Sequence, residues 1–181
     1  MTESAISGKI WVLLGGNGRL IEDIDTDQIF HNAHLHITAL DEMGKYALGN
    51  LEGWKDFPQK TSRGDILVVG RNFGAGSSRQ QAVDCFLSLG IGAILAPSFG
   101  AIYFRNAVNS GFPVLRSPDI SNLVKENDLV TGDEVRLAFV SGEAEIINRK
   151  KSFRILPMSG VQYDIFRAGG LYNYGKALDR D

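Results

Sequence analysis

The sequence predicts an α/β domain in which a parallel βαβαβ section is followed by antiparallel strands. Two patterns carry that expectation. Between about residues 65 and 116, short apolar runs alternate with amphipathic segments at the spacing of right-handed crossover units. From Val135 onward apolar and polar residues alternate on either side of a Ser141-Gly142 turn, which reads as a hairpin. With 181 residues, 44% of them hydrophobic, the chain has enough apolar material for the core of one domain, expected to span residues 1–181 without repeat or linker.

Taken in order, Ile10-Trp11-Val12-Leu13-Leu14 is a first strand, too short for a signal or transmembrane segment. Residues 1–8 carry Glu3 and no basic region, so no secretory leader is expected. After the turn Gly15-Gly16-Asn17-Gly18 comes an acidic knot, Glu22-Asp23-Ile24-Asp25-Thr26-Asp27, whose side chains suit the capping of a turn. His31, His34 and His36, the chain's three histidines, follow closely. Neither a helix nor a strand puts all three on one face, and no fourth ligand is evident, so a loop lining a polar pocket is expected and no metal site. Leu40, Met43, Tyr46 and Ala47 suggest a helix over residues 38 to about 50, with Thr38 as N-cap and Gly49 past its end. Gly53-Trp54-Lys55-Asp56-Phe57-Pro58 reads as an irregular loop.

Ile66-Val69 is the next strand, and Ala82, Cys85, Phe86 and Leu89 form the apolar face of a helix over residues 78–89 that Gly90 ends. Cys85 on that face is a structural core residue. A buried strand over residues 92–96 stops at Pro97, Ser98 is placed to cap a second helix with face Ile102, Tyr103 and Ala107, and Pro113-Val114-Leu115 is a third strand. A short helix near residues 121–126 precedes strands at 135–140, 144–147 and 152–156, and residues 161–168 form a helix stopped by Gly169-Gly170. The two sheet regions are expected to carry their helices on one side.

Charge and cysteine content exclude several functions. Nineteen Lys and Arg against 21 Asp and Glu leave a net charge of -2, which provides no basic field for nucleic acid or an anionic membrane. A lone cysteine excludes an internal disulfide and an iron-sulfur cluster ligated by this chain alone, and points to the cytoplasm.

The candidate site is Gly70-Arg71-Asn72-Phe73-Gly74-Ala75-Gly76-Ser77-Ser78-Arg79, a glycine turn between strand and helix. It brings two hydroxyls and a guanidinium to a helix N-terminus, where unpaired N–H groups favour a carboxylate or phosphate. Known glycine loops do not match. A Walker loop needs Lys before Ser or Thr, the dinucleotide fingerprint needs a third glycine where Arg79 stands, and a hydrolase elbow needs glycine where Gln80 stands. Two readings remain: an anion site with a nucleophile or base, or a well-capped helix with Ser77 as N-cap. In the first, donors around a serine alkoxide let it take a proton from carbon next to a carboxylate. Arg79 would hold that carboxylate by a two-point bond.

Residues 72–82, Asn-Phe-Gly-Ala-Gly-Ser-Ser-Arg-Gln-Gln-Ala, with Ile91-Gly92-Ala93-Ile94-Leu95-Ala96 and Ser98-Phe99, resemble the mobile swivel domain of the aconitase family. Asp25-Thr26-Asp27-Gln28-Ile29 is similar to the family's Asp-Thr-Asp element, and Ala168-Gly169-Gly170-Leu171 with Tyr174 resembles the end of its small subunits. In size the chain is similar to a free-standing small subunit of the isopropylmalate dehydratase type. The resemblance implies an aconitase-type swivelling β/β/α fold and dehydration and rehydration of a hydroxy diacid or triacid. It also implies a large catalytic subunit that carries a [4Fe-4S] cluster, with no cofactor on this chain. By the same match Ser77 is the catalytic base, Ser78 and Arg79 bind substrate carboxylate, and Asp27 is an active-site acid that orients a neighbouring basic side chain.

One loop departs from the family. Small subunits commonly show a proline, a basic residue and an aromatic-Leu pair after Asp-Thr-Asp, and the two residues after that pair help choose the substrate. Apolar residues there suit an isopropyl tail and arginine an extra carboxylate. In Phe30-His31-Asn32-Ala33-His34-Leu35-His36-Ile37, His34 replaces the aromatic and His36 and Ile37 fall at the selecting positions. Either His36 bonds a third carboxylate or hydroxyl, or His36 points to solvent and Ile37 faces the tail. Isopropylmalate, a homocitrate-like triacid and a short alkyl malate such as citramalate or 2,3-dimethylmalate are the substrates in view. A non-catalytic carboxylate-binding module is the alternative of another class.

Overall fold

The computed structural model describes residues 5–179. The leader expectation rests partly on residues 1–4, outside the described residues. β1 (Ala5–Val12) starts earlier than predicted and serves two partners. Residues 10–12 pair in parallel with β2 (Ile66–Val68), and residues 5–9 pair antiparallel with β5 (Glu134–Ala138). β3 (Ala93–Ala96) and β4 (Val114–Arg116) extend the parallel half, and β6 (Glu143–Ile146) and β7 (Lys151–Arg154) the antiparallel half. The seven-stranded sheet runs β4-β3-β2-β1-β5-β6-β7, so the two expected sheet regions are halves of one sheet joined through β1.

β2 and β3 are buried at every position, because period-two alternation puts apolar residues on both faces. Leu67, Val69, Ile94 and Ala96 face a core that includes Ala82, Val83, Cys85 and Phe86 of α4 (Gln81–Leu89) and Tyr103 and Ala107 of α5 (Ala101–Asn109). Ile66, Val68, Ala93 and Leu95 face a second core. It is built by Ile120, Leu123 and Val124 of α6 (Ile120–Lys125), by Val135, Leu137, Ala144, Ile146 and Phe153, and by Tyr163 and Phe166 of α7 (Gly160–Ala168). Helices therefore cover both faces, not one. Wholly apolar strands need cover twice, and the antiparallel half with α6 and α7 supplies the second layer.

Other expectations are corrected locally. The helix expected over residues 38–50 is a single α-turn, α2 (Leu40–Met43), running into a 3₁₀ turn at Gly44–Tyr46, and Ala39, not Thr38, sits at its N-cap. Met43, Ala47, Leu48 and Leu51 are buried in the core that also holds α4, so packing and not helical continuity sets this segment. Phe57–Lys60 forms a one-turn helix, α3, that takes up the end of the expected irregular loop, and α8 (Leu171–Leu178) follows Gly170 unforeseen. Gly90 ends α4 as its spacing implies, and α7 begins at a reciprocal Ser159–Gln162 capping box. Among the described residues no helix is long and apolar enough to cross a membrane.

Candidate functional site

The central turn leaves the carboxyl end of β2 between the loops that leave β1 and β3, which is where open α/β sheets hold ligands. Backbone bonds clamp it on both sides. The N–H groups of Gly74 and Ala75 donate to Ile24 O over 2.8 and 3.2 Å, and Thr26 N–H donates to Ala75 O over 3.0 Å. Opposite, Phe73 N–H donates to Ser98 O over 3.2 Å and Gly100 N–H to Phe73 O over 2.8 Å. Ser98, predicted to cap α5, instead accepts from Asn72 N–H through its hydroxyl over 2.9 Å, while Gly100 holds the N-cap position. Gly74 has φ +77°, and a Cβ there would lie 2.2 Å from Tyr103 Cγ. The turn is thus tied to the neighbouring loops by isolated parallel bridges, Asp25 to Ala75 on one side and Phe73 to Phe99 on the other.

Ser77 is exposed, and its carbonyl accepts from Thr26 Oγ1 over 3.1 Å. Among the described residues its hydroxyl has no hydrogen-bond partner, and the N–H groups of Gly76, Ser77 and Ser78 donate to no protein acceptor. α4 begins only at Gln81 with no side-chain cap, so Ser77 is not an N-cap. The donors that could receive an anion lie on the turn itself, ahead of the helix end.

Ser78 Oγ accepts from Asn106 Nδ2 of α5 over 3.3 Å. Arg79 is drawn inward: its Nη1 donates to Asp27 Oδ1 over 2.5 Å and to Phe30 O over 3.0 Å. Asp27 Oδ1 also accepts from Asn32 N–H over 3.1 Å, and Oδ2 accepts from Asn50 Nδ2 over 3.1 Å. The carboxylate stands at the start of α1 (Thr26–Ile29), whose reciprocal cap is made by its neighbours: Asp25 Oδ1 accepts from the N–H groups of Asp27 and Gln28, and Gln28 Oε1 from Asp25 N–H. The acidic knot therefore divides its labour, with Asp25 capping and Asp27 meeting Arg79.

The Arg79 hydrogen bond, aided by Asn32 N–H, holds the Asp27 carboxyl below its usual 3.8 against the opposing effect of partial burial. A depressed folded pKa means stability that is present above 3.8 and is lost as pH falls through the folded value. Asp27→Asn should lower the thermal midpoint at neutral pH, and its gap to wild type should close as the pH falls below the carboxylate range. A gap that persists there would show that the charge is not what holds Arg79.

The histidines separate. His31 Nδ1 accepts from Ala33 N–H over 3.2 Å, capping the 3₁₀ turn Asn32–His34, while its Nε2 lies 3.9 Å from Asp27 Oδ2. His34 stacks on Tyr46, with ring centroids 4.1 Å apart, and turns an edge to Phe30. His36 is exposed, whereas Ile37 is only 8% exposed and belongs to the core. Of the two selecting positions the structure brings only His36 to the surface. Gln81 Nε2 donates to Leu35 O over 3.5 Å, which keeps this loop beside the start of α4. Asn50 and Asn106 touch the site from 23 and 28 residues away, and neither carries a sequence signal that marks it.

Among the described residues no group of three His, Cys, Asp or Glu side chains could hold a metal ion. Cys85 is buried and burial pushes its thiol far up, so the residues present do not fit an iron-sulfur cluster. A crevice of about 1000 Å³ lies between residues 15–22 and α6, and residues 77–79 do not line it. The candidate site is an open surface.

A mixed α/β sheet that presents hydroxyls, free N–H groups and a carboxylate-anchored arginine at its strand ends defines a domain suited to binding organic acids. The Aconitase C-terminal domain model matches residues 23–119, and the chain belongs to the aconitase family. It is 36% identical to the 3-isopropylmalate dehydratase small subunit of Aliarcobacter butzleri, over 96% of each chain. It is 35% identical to the methanogen homoaconitase small subunit of Methanothermobacter thermautotrophicus, over 98% of this chain and 95% of that one. The crystal structure of 3-isopropylmalate dehydratase from Methanocaldococcus jannaschii superposes with a TM-score of 0.83 at 31% identity, covering 98% of this chain and 96% of that one. The sheet with its curled antiparallel half is thus the aconitase-type small-subunit fold.

Proposed function

We propose that this chain, a single swivel domain, is the small subunit of a heteromeric hydro-lyase that isomerises a hydroxy diacid by dehydration and rehydration, with 3-isopropylmalate as first substrate. The observation that carries the reading is the exposure of Ser77 within the Ser77-Ser78-Arg79 turn of an aconitase-family chain. A hydroxyl facing bulk water is too weak a base, so the site needs a second surface to close over it and exclude water. In this reading a large subunit supplies that surface and carries the [4Fe-4S] cluster, and the pair works in the cytoplasm.

Arg79 commits Nη1 to Asp27 and Phe30, leaving Nη2 and Nε to meet both oxygens of a substrate carboxylate. Ser78 adds a third donor. Ser77, its alkoxide stabilised by the turn's N–H groups and the nearby guanidinium, takes the proton from the carbon next to that carboxylate and returns one on rehydration. His36, on the rim beside α4, meets the rest of the substrate.

A second reading keeps the chemistry and changes the acid. Exposed His36 could bond a third carboxylate, and one relative is named a homoaconitase small subunit. Anaerobic co-purification with a cluster-loaded large subunit, followed by rates on 3-isopropylmalate, homocitrate-like triacids, citramalate and 2,3-dimethylmalate, separates the two. No turnover is expected without the large subunit. His36→Val should shift the ratio of rates toward the isopropyl substrate by about tenfold. An unchanged ratio would remove His36 from the substrate's surroundings. Tight diacid binding by the isolated chain, with no partner recovered, would favour a non-catalytic carboxylate-binding module.

A further inference from the structure

Asn106 of α5 and Ser110 at its C-cap lie one helical turn apart, Asn106 meeting Ser78 of the central turn and Ser110 meeting Gln80 at the N-cap of α4. Asn106 Nδ2 donates to Ser78 Oγ over 3.3 Å. Ser110 Oγ accepts from Gln80 Nε2 over 2.8 Å, and Gln80 Nε2 also donates to Asp84 Oδ1 over 2.8 Å. Between them Ala107 is fully buried, so the α5 backbone is fixed to the core and cannot follow movements of the turn.

A serine hydroxyl has one proton to give and two lone pairs to offer. A donor already on Ser78 Oγ occupies a lone pair and leaves the proton to be directed elsewhere, and among the described residues no acceptor takes it. We propose that Asn106 is a positioning residue for substrate recognition: by donating to Ser78 Oγ it aims the Ser78 proton at the substrate carboxylate held by Arg79. The proposal rests on the reading of Ser78 and Arg79 as the carboxylate site. It deepens that reading by setting the polarity of one contact. A hydroxyl that spent its proton on a protein acceptor would turn a lone pair toward the carboxylate and repel it. Because the Gln80–Ser110 bond joins the end of α5 to the start of α4, and backbone bonds at Phe73 hold the turn, removing the Asn106 amide leaves the frame in place.

A double-mutant cycle tests this. Wild type, Asn106→Ala, Ser78→Ala and the double variant are each assembled with the cluster-loaded large subunit, and KM, kcat and thermal midpoint are measured. Asn106→Ala should raise KM by about three- to tenfold, with kcat and the midpoint nearly unchanged. In the Ser78→Ala background the same change should add less than about twofold, because the hydroxyl through which it acts is gone. An equal rise in both backgrounds, or no rise at all, overturns the proposal. The same cycle is read by calorimetric titration of each complex with malate, which requires no turnover. A wild-type complex that binds malate but turns over none of the acids sinks the functional reading and still lets the cycle judge Asn106. No malate binding by any of the complexes overturns both.

Discussion

Ser77→Ala, assembled with a large subunit, is expected to lose about 10²- to 10⁴-fold in kcat while keeping its assembly, its KM within a few-fold and its thermal midpoint. The separation follows from the position of the side chain. Its hydroxyl is exposed and has no partner among the described residues, while the turn's path is held by the backbone of Gly74, Ala75 and Thr26. Loss of the hydroxyl leaves that frame untouched. The Ser77 carbonyl still accepts from Thr26 Oγ1, because that bond needs no Ser77 side chain. In the proposed function carboxylate binding belongs to Arg79 and Ser78, so a large rise in KM with kcat preserved would mean that Ser77 binds and does not take the proton. Steady-state rates with native mass spectrometry of the complex make the distinction.

Gly74→Ala is expected to cost about 3–5 kcal/mol of stability. Two causes add. The residue has φ +77°, where a Cβ is strained, and the Cβ would lie 2.2 Å from Tyr103 Cγ. Tyr103 cannot yield, being 2% exposed and packed edge-on to Phe73 with ring centroids 5.3 Å apart. Gly76→Ala separates the two costs, since Gly76 has φ +87° but the nearest atom to its Cβ would be 3.9 Å away. It should lose only the backbone share, about 1–2 kcal/mol. Chemical denaturation of the three proteins reads the difference. Equal losses would show that Tyr103 gives way and that the frame around the turn is softer than its contacts imply.

The parts of the site that were readable in the sequence are those whose chemistry is local. Gly74, Gly76 and the Ser77-Ser78-Arg79 run announce a turn rich in donors because their side chains, or the lack of them, limit what the backbone there can do. The Asp25 cap is equally local, spanning three residues to Gln28. The reach of Asp27 to Arg79 across 52 residues, of Asn50 to Asp27 across 23 and of Asn106 to Ser78 across 28 is of another kind. An exposed-looking asparagine carries no pattern that separates a brace from a solvated surface residue. The choice between His36 and Ile37 was open for the same reason. Burial depends on the whole core: Ile37 joins the cluster that holds Phe30 and Leu48, and His36 is left exposed.

In the fold, sequence alone determined the parallel section and its crossover helices, because wholly apolar strands and i, i+3, i+4 helix faces are periodic signals that each segment carries by itself. It determined the chemical character of the Gly74 to Arg79 turn in the same way. Tertiary structure alone decided that β1 pairs with both halves, that the antiparallel strands curl beneath the sheet as its second layer, and that residues 38–50 break into two short turns. It also decided that the donors sit on the turn ahead of α4. These outcomes depend on which surfaces meet, and burial rewards a meeting of surfaces that no single window of sequence contains.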